Sequence, residues 1–341
     1  MVKSKSGYIP PFSITSQSIN LISEISEILG RLSAINRLES TPMLRRGNRI
    51  KSIQASLAIE NNTLSLEQVT AIIEGRRVLG HPREIQEVKN AFAAYDMLET
   101  LDPFSTTDLL KTHAVLMSVL VDEAGCYRSG SVGIMKGKSV VHIAPPADRV
   151  YALVLDLFKW LETTDTHPLI ASSVFHYEFE FIHPFSDGNG RMERLWQTLI
   201  LSRWNSLLAF LPVETIIRDR QIEYYEVLEA ADHHGDSTVF IEFILSAIKE
   251  ALLESMENDQ VSDQVSDQVK KLLNLFTNKS CSASQLMQQL GLSHKPTFRK
   301  NYLNPAIEGG FIEMTIPDKP NSRVQEYKIT LKGKTLLKEG G

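Results

Sequence analysis

Apolar residues recur at helical spacing through most of the first 257 positions of this 341-residue chain, which sets the fold class before any motif is considered. Between positions 19 and 38 they fall at Leu21, Ile25, Ile28, Leu32 and Ile35, so one wide face of a helix is apolar. The same spacing predicts helices over 46–60, 84–100, 106–121, 148–163, 168–182, 189–207, 219–232 and 238–257. Another starts after Ser65, where Ser65 and Gln68 can form a capping pair, and stops at Glu74-Gly75. Residues 1–15 are polar and Pro-rich and read as an extended arm.

Two regions break the pattern. Ser131-Val132-Gly133-Ile134 and Ser139-Val140-Val141-His142-Ile143 are β-prone; 135–138 join them into a small hairpin and Ala144-Pro145-Pro146 closes it. At Asn258 the composition shifts to DQVSDQVSDQVK, whose valines at 261, 265 and 269 suit a narrow linker helix. Beyond it a helix capped by Ser284 and ended by Gly291 is followed by a second over 294–308, bent near Pro305. Strands over 311–316 and 324–330, joined by a polar loop, complete the layout of a winged helix. The class is mainly α, with one hairpin and a C-terminal α+β winged-helix domain.

Bulk properties exclude several functions. The net charge of −5 gives no global basic field for nucleic acid. Cys126 and Cys281 make neither a Cys-rich zinc site nor a disulfide framework. No apolar run is long enough for a signal peptide or a membrane span, so a soluble, cytoplasmic protein without a membrane partner is expected.

Chemistry concentrates in His183-Pro-Phe-Ser-Asp-Gly-Asn-Gly-Arg-Met-Glu-Arg194. Gly188, Asn189 and Gly190 tolerate left-handed backbone, and successive N–H groups in such a turn can form an anion nest. A helix starting there adds its dipole. Arg191 and Arg194 lie three apart; cations at a helix N-terminus make sense if a polyanion sits between them and the amides. Asp187, beside phosphates, suits Mg²⁺ better than proton transfer. His183 suits a general base near neutral pH, and Phe185 anchors the loop.

These twelve residues match the whole signature H-x-F-x-[DE]-G-N-G-R-x-x-R, and the chain resembles the Fic family. The resemblance implies a helical Fic core with a β flap, and an enzyme that transfers AMP from ATP to a Ser, Thr or Tyr hydroxyl of a protein. On that pattern His183 is the catalytic base and Asp187 holds Mg²⁺ or Mn²⁺. The 188–190 amides form the anion hole, and Arg191 and Arg194 bind the β- and γ-phosphates. Gly190 stands where the related Doc kinases carry lysine. The hairpin resembles the flap that docks the target by strand addition at Val132, Gly133, Ile134 and Met135, although an ordinary surface hairpin has the same sequence. Tyr224 fits the tyrosine that approaches adenosine in relatives, and Asp232 stands where they carry asparagine; a core role is the alternative for Tyr224 or Tyr225.

Ser56-Leu-Ala-Ile-Glu60-Asn61 resembles the family's inhibitory motif. The resemblance implies a bidentate pair between Glu60 and Arg194 that occupies the γ-phosphate site. In some relatives the same glutamate helps remove AMP, which would make the enzyme bifunctional. The domains expected are an N-terminal helical region with the inhibitory helix (1–105), a Fic catalytic domain (106–257), and a linker with winged helix (258–341). His294, Lys295, Arg299, Lys300 and Arg323 suit DNA phosphates, which leaves a nucleotide-sensing DNA-binding regulator as the alternative function. Protein docking suits the same domain, and self-modification and a homo-oligomer are further expectations.

Overall fold

The computed structural model describes residues 7–35, 42–136, 139–263, 267–276, 280–317, 319 and 322–339, with the backbone alone for 34–35, 42–44, 133–136, 139–143, 257–263, 267, 335 and 338–339. They form two compact units, the first over 7–35 and 45–253 and the second over 42–44 and 254–339. Among the described residues no helix is long and apolar enough to cross a membrane.

The first unit holds α1 (Ser16–Ile35), α2 (Pro42–Ile59), α3 (Leu66–Ile73), α4 (Pro82–Asp96) and α5 (Thr106–Leu116). Strands β1 (Gly133–Lys136) and β2 (Ser139–Ile143) follow. Then come α6 (Ala147–Thr163), α7 (Pro168–Ile182), α8 (Asn189–Trp204), α9 (Val213–Asp219), α10 (Gln221–His234) and α11 (Thr238–Asp263), whose residues from Glu254 on belong to the second unit. The centre is α7 packed on α8. Every α7 residue from Leu169 to Phe179 is buried, as a helix with apolar residues all round requires. Its polar residues are satisfied inside: Ser172 and Ser173 donate to the Leu169 carbonyl, and His176 meets Gln197 and Tyr224. Trp196 on α8 is fully buried and donates to the Pro103 carbonyl at 3.1 Å.

The N-terminal arm is laced onto this core. Ser237 N–H donates to the Pro11 carbonyl at 3.0 Å and Ser13 N–H to Thr238 Oγ1 at 2.8 Å. Tyr8 OH donates to Glu178 Oε2 at 2.6 Å. Burial pushes the Glu178 carboxyl up to about 7, against the lowering effect of Tyr8. A raised acid favours the fold while protonated, so its contribution is full below its unfolded value and fades as pH rises through 7. Glu178→Gln keeps an acceptor for Tyr8 without a charge. We expect it to unfold like wild type at pH 5 and to be more stable at pH 8, by on the order of 2 kcal/mol; denaturant melts at both pH values check this.

Several helix ends differ from the sequence expectation. The helix expected to reach 207 stops at Trp204, because Asn205 takes the Leu207 N–H with its side chain and starts a 3₁₀ turn over Ser206–Phe210. The helix expected over 106–121 ends at Leu116, and the one over 84–100 ends at Asp96 before a 3₁₀ turn. Helix α9 was not expected. In the hairpin, β1 lies two residues further on than the β-prone run, pairing antiparallel with β2 from Gly133↔Ile143 to Lys136↔Ser139, with a bulge between Ile134 and Met135. Gly137 and Lys138 of the expected connection lie outside the described residues.

The second unit is a helix–turn–helix with a small sheet. It holds α12 (Asp267–Leu273), β3 (Cys281–Ser282), α13 (Ala283–Gln289), α14 (Lys295–Phe298), a π turn (Arg299–Leu303) and α15 (Asn304–Glu308). Then come β4 (Ile312–Met314), β5 (Glu326–Ile329) and α16 (Leu331–Glu339). The antiparallel order is β3-β5-β4. Leu272, Leu286, Phe298, Leu303, Ile312 and Tyr327 lie in its core. Ser282, not Ser284, caps α13, because Gln285 at the third helical position closes a capping box with it. The expected bend at Pro305 is the π turn, one turn before a residue that has no N–H to donate. Strand β3 and helix α16 were not foreseen.

Candidate active site

Helix α7 ends at His183, which takes a left-handed backbone (φ 49°, ψ 61°) while its N–H still bonds the Phe179 carbonyl. Pro184 disfavours the helical region for its predecessor, and a side chain in this alternative costs about 1 kcal/mol. Buried Arg128 holds the strained turn. Its Nε donates to the His183 carbonyl at 2.7 Å and Nη2 to the Ile182 carbonyl at 3.3 Å. The same guanidinium reaches Gly130 O at 2.8 Å and Pro145 O at 2.5 Å, on either side of the hairpin. One cation thus ties the His183 turn to both ends of the hairpin. Arg128→Met strands four carbonyls; we expect a loss of about 3 kcal/mol in stability, read by denaturant melting.

The loop after His183 is fixed from within. Asn189 closes a two-way staple with Phe185: its Oδ1 accepts the Phe185 N–H and its Nδ2 donates to the Phe185 carbonyl, both at 2.8 Å. The Phe185 ring is fully buried and stacks on His113, with ring centroids 3.6 Å apart. Gly125 N–H donates to His113 Nδ1, so His113 Nε2 carries the proton given to the Asp187 carbonyl at 3.0 Å. Burial pushes His113 below the usual imidazole range and keeps it neutral in this role. Gly188 has φ +86°, and a Cβ there would stand 2.6 Å from Met117 Sδ. Helix α8 begins immediately afterwards, so the 188–190 amides lie at its N-terminus.

The acid and the first arginine form a paired network. Asp187 accepts from Arg191 Nη2 at 2.8 Å and from Arg83 Nη2 of α4 at 3.0 Å. Glu87 lies 3.5 Å from both Arg83 and Arg191, and Asn62 donates to it at 2.8 Å. Among the described residues no cluster of three acids, histidines or cysteines could cage a metal. A magnesium carried by phosphates needs only one or two carboxylates, and the Asp187 side chain is 39% exposed. The donor set fits an ion brought with a nucleotide and not a resident one.

Arg194 is buried and held from α2 and its end. Its Nε donates to Ser56 Oγ at 3.1 Å, and Nη2 donates to the Ser56 carbonyl at 3.1 Å and to Glu60 Oε1 at 2.7 Å. The pair is therefore not bidentate as expected, because Ser56 takes the second edge of the fork. Burial alone would lower Arg194, yet Glu60 and then Glu193 hold its pKa above the usual range. A Cβ on Gly190 would collide with Glu60 Oε1 and stand 3.0 Å from Arg194 Nη1. Asn61 takes φ 66°, a backbone that glycine and asparagine tolerate.

Other expected residues have different surroundings. Tyr224 is 2% exposed, with its hydroxyl against Glu193 and His176, both at 3.0 Å; this is the core alternative. An adenosine contact would require its ring to be uncovered. Tyr225 beside it is 44% exposed. Asp232 accepts from Tyr177 OH at 2.8 Å. Burial pushes Glu193 up to about 7, against the pull of His176. Gly133, Ile134 and Met135 lie on β1, whose outer edge is unpaired among the described residues, and Val132 precedes it. Sequence reasoning missed Arg128, His113, Arg83, Glu87 and Glu180; only Glu180, three residues before His183 on the same helix, had a readable spacing.

Residues 103–201 match the model of the Fic/DOC family, and residues 267–330 match the C-terminal domain of the Fic-like "filamentation induced by cAMP" proteins. The chain is similar to a protein adenylyltransferase Fic of Nematostella vectensis, 34% identical over 56% of this chain and 45% of that protein. It is also 33% identical to protein adenylyltransferase fic-1 of Caenorhabditis elegans, over 61% of this chain and 42% of that one. The chain thus spans less than half the length of these curated relatives. A crystal structure of a Fic family protein from Desulfovibrio desulfuricans G20 is 59% identical, with a TM-score of 0.73 over 96% of this chain and 99% of that chain. Residues 134–508 of C. elegans Fic-1 superpose with a TM-score of 0.59 at 25% identity, covering 72% of this chain and 74% of that one.

Proposed function

This chain belongs to the Fic family, and on that premise we propose that it transfers AMP from ATP to a Ser, Thr or Tyr hydroxyl of a protein, releasing pyrophosphate. The observation that carries the reading is an anion seat already in use: the Glu60 carboxylate lies against Gly190 and on Arg194, at the N-terminus of α8. The relatives named for adenylyl transfer support the same reaction and give no support to a DNA-binding regulator.

In this mechanism His183 Nε2 takes the proton of the acceptor hydroxyl as its oxygen attacks the α-phosphorus. The 188–190 amides and Arg194 hold the phosphates in line, and Arg191 exchanges Asp187 for phosphate oxygens. When bound, Mg²⁺ or Mn²⁺ at Asp187 would neutralise phosphate charge. The edge of β1 that is unpaired among the described residues suits an extended segment of the target as an added strand. Glu60 on Arg194 supports autoinhibition, since the pair covers the cation that the γ-phosphate would need. The winged-helix unit presents exposed Lys295, Arg299 and Lys300 to a partner, and a cytoplasmic location and self-modification complete the reading.

ATP carrying label on the α-phosphate tests the reaction against ATP labelled on the γ-phosphate. Protein-bound label from the first alone, with an added AMP mass, supports AMP transfer. Label from the γ-phosphate would replace it with a kinase.

A further inference from the structure

Two buried polar atoms at the end of α7 have no hydrogen-bond partner among the described residues: Glu180 Oε2 and His183 Nδ1. They belong to side chains three residues apart, and Nδ1 stands 3.5 Å from Glu180 Oε1. The gap is longer than a formed hydrogen bond, and catalytic contacts of this kind tighten when substrate binds.

We propose that Glu180 is the positioning residue of His183: its carboxylate takes the Nδ1–H, fixes that tautomer and leaves Nε2 free as the proton acceptor. The catalytic consequence rests on the AMP-transfer reading; the pair itself does not.

The electrostatics agree with the geometry. Glu180 from α7 and Glu193 from α8 act on His183, and Arg128 bonds its carbonyl; His176 from α7 and Arg194 from α8 act on Glu180, which in turn acts on Tyr224 from α10. Burial pushes the imidazole down, yet the Glu180 carboxylate outweighs it and holds His183 above the usual range. Burial likewise pushes Glu180 up, and His183, then His176 and Arg194, hold it below. Glu193 is pushed up to about 7, so of these two neighbouring acids Glu180 is the one kept ionised at neutral pH. During transfer the hydroxyl proton moves to Nε2 as the new O–P bond forms and the bond to pyrophosphate breaks. The imidazolium then carries both N–H groups, with Nδ1–H on Glu180, until Nε2 releases its proton to water.

The test uses the full chain with ¹⁵N-labelled histidine, as wild type, Glu180→Gln and Glu180→Ala. Wild-type His183 is expected with the proton on Nδ1. Its titration is expected to move to lower pH in both variants, with mixed tautomers in Glu180→Ala. A wild-type imidazole protonated on Nε2 overturns the proposal without any variant, as does an unchanged titration in a folded variant. In the Glu60→Gly background, Glu180→Gln is expected to move the acid limb of the kcat profile to lower pH and to lower the plateau about tenfold at unchanged KM. A shifted titration with no AMP transfer in any protein supports the pair and overturns the AMP-transfer reading.

Discussion

In the Glu60→Gly variant, AMP transfer is expected to rise by roughly 10- to 100-fold over wild type. The magnitude follows from one contact. Glu60 Oε1 takes a charge-assisted hydrogen bond from a buried guanidinium at 2.7 Å, and such bonds are worth about 1.5–3 kcal/mol. Each ~1.4 kcal/mol is a factor of ten. Deleting the carboxylate leaves both Ser56 contacts, so Arg194 keeps its orientation while its charge becomes available to phosphate. Ser56→Ala removes a bond from Arg194 to an uncharged oxygen and leaves the Glu60 carboxylate in place, so it should change the rate by less. The measurement is the rate of label incorporation from α-labelled ATP at fixed Mg²⁺. Equal rates in wild type and Glu60→Gly would mean that the Glu60–Arg194 pair is structural and no brake.

In that activated background, His183→Ala is expected to lower the rate by about 10²- to 10⁴-fold, the contribution of a general base. Neighbouring imidazoles cannot substitute. His113 has both ring nitrogens committed, one to Gly125 N–H and one to the Asp187 carbonyl, beneath Phe185. His176 is buried among Gln197, Tyr224 and Glu193. Alanine keeps the backbone contacts that Arg128 makes at 182 and 183, so the melting temperature should hold and ATP binding should persist. Single-turnover transfer with parallel calorimetry of ATP binding separates the two. Unchanged transfer would remove His183 from the mechanism.

The helices were legible because their apolar faces repeat at the period that burial demands, and α7 (Pro168–Ile182) matches the expected 168–182. The motif was legible because its chemistry is contiguous: twelve residues carry the histidine, the acid, the small-residue turn and both arginines. What stayed hidden is joined only by folding. Arg128 is one arginine in a loop, and nothing local says that its fork spans four carbonyls, two of them more than 50 residues away. His113 sits in an ordinary helix, and its stacking on Phe185 is a long-range fact. The contact of Glu60 with Arg194 is monodentate where a bidentate pair is expected, because the geometry of the fork depends on Ser56, in the last turn of α2 just before Glu60. Of the two roles open to Tyr224, adenosine contact and core, its hydroxyl is bonded in the core by His176 of α7 and Glu193 of α8, long-range partners that the sequence does not announce.

The left-handed backbone at His183 has a consequence for evolution and engineering. Folding alone would prefer glycine there, which relaxes the turn and melts higher; the proposed proton transfer requires an imidazole. Stability and function therefore pull this one position in opposite directions. On the proposed reaction, selection for heat resistance without selection for activity would erode function first at His183, and Arg128 is part of what lets the chain carry the strained choice.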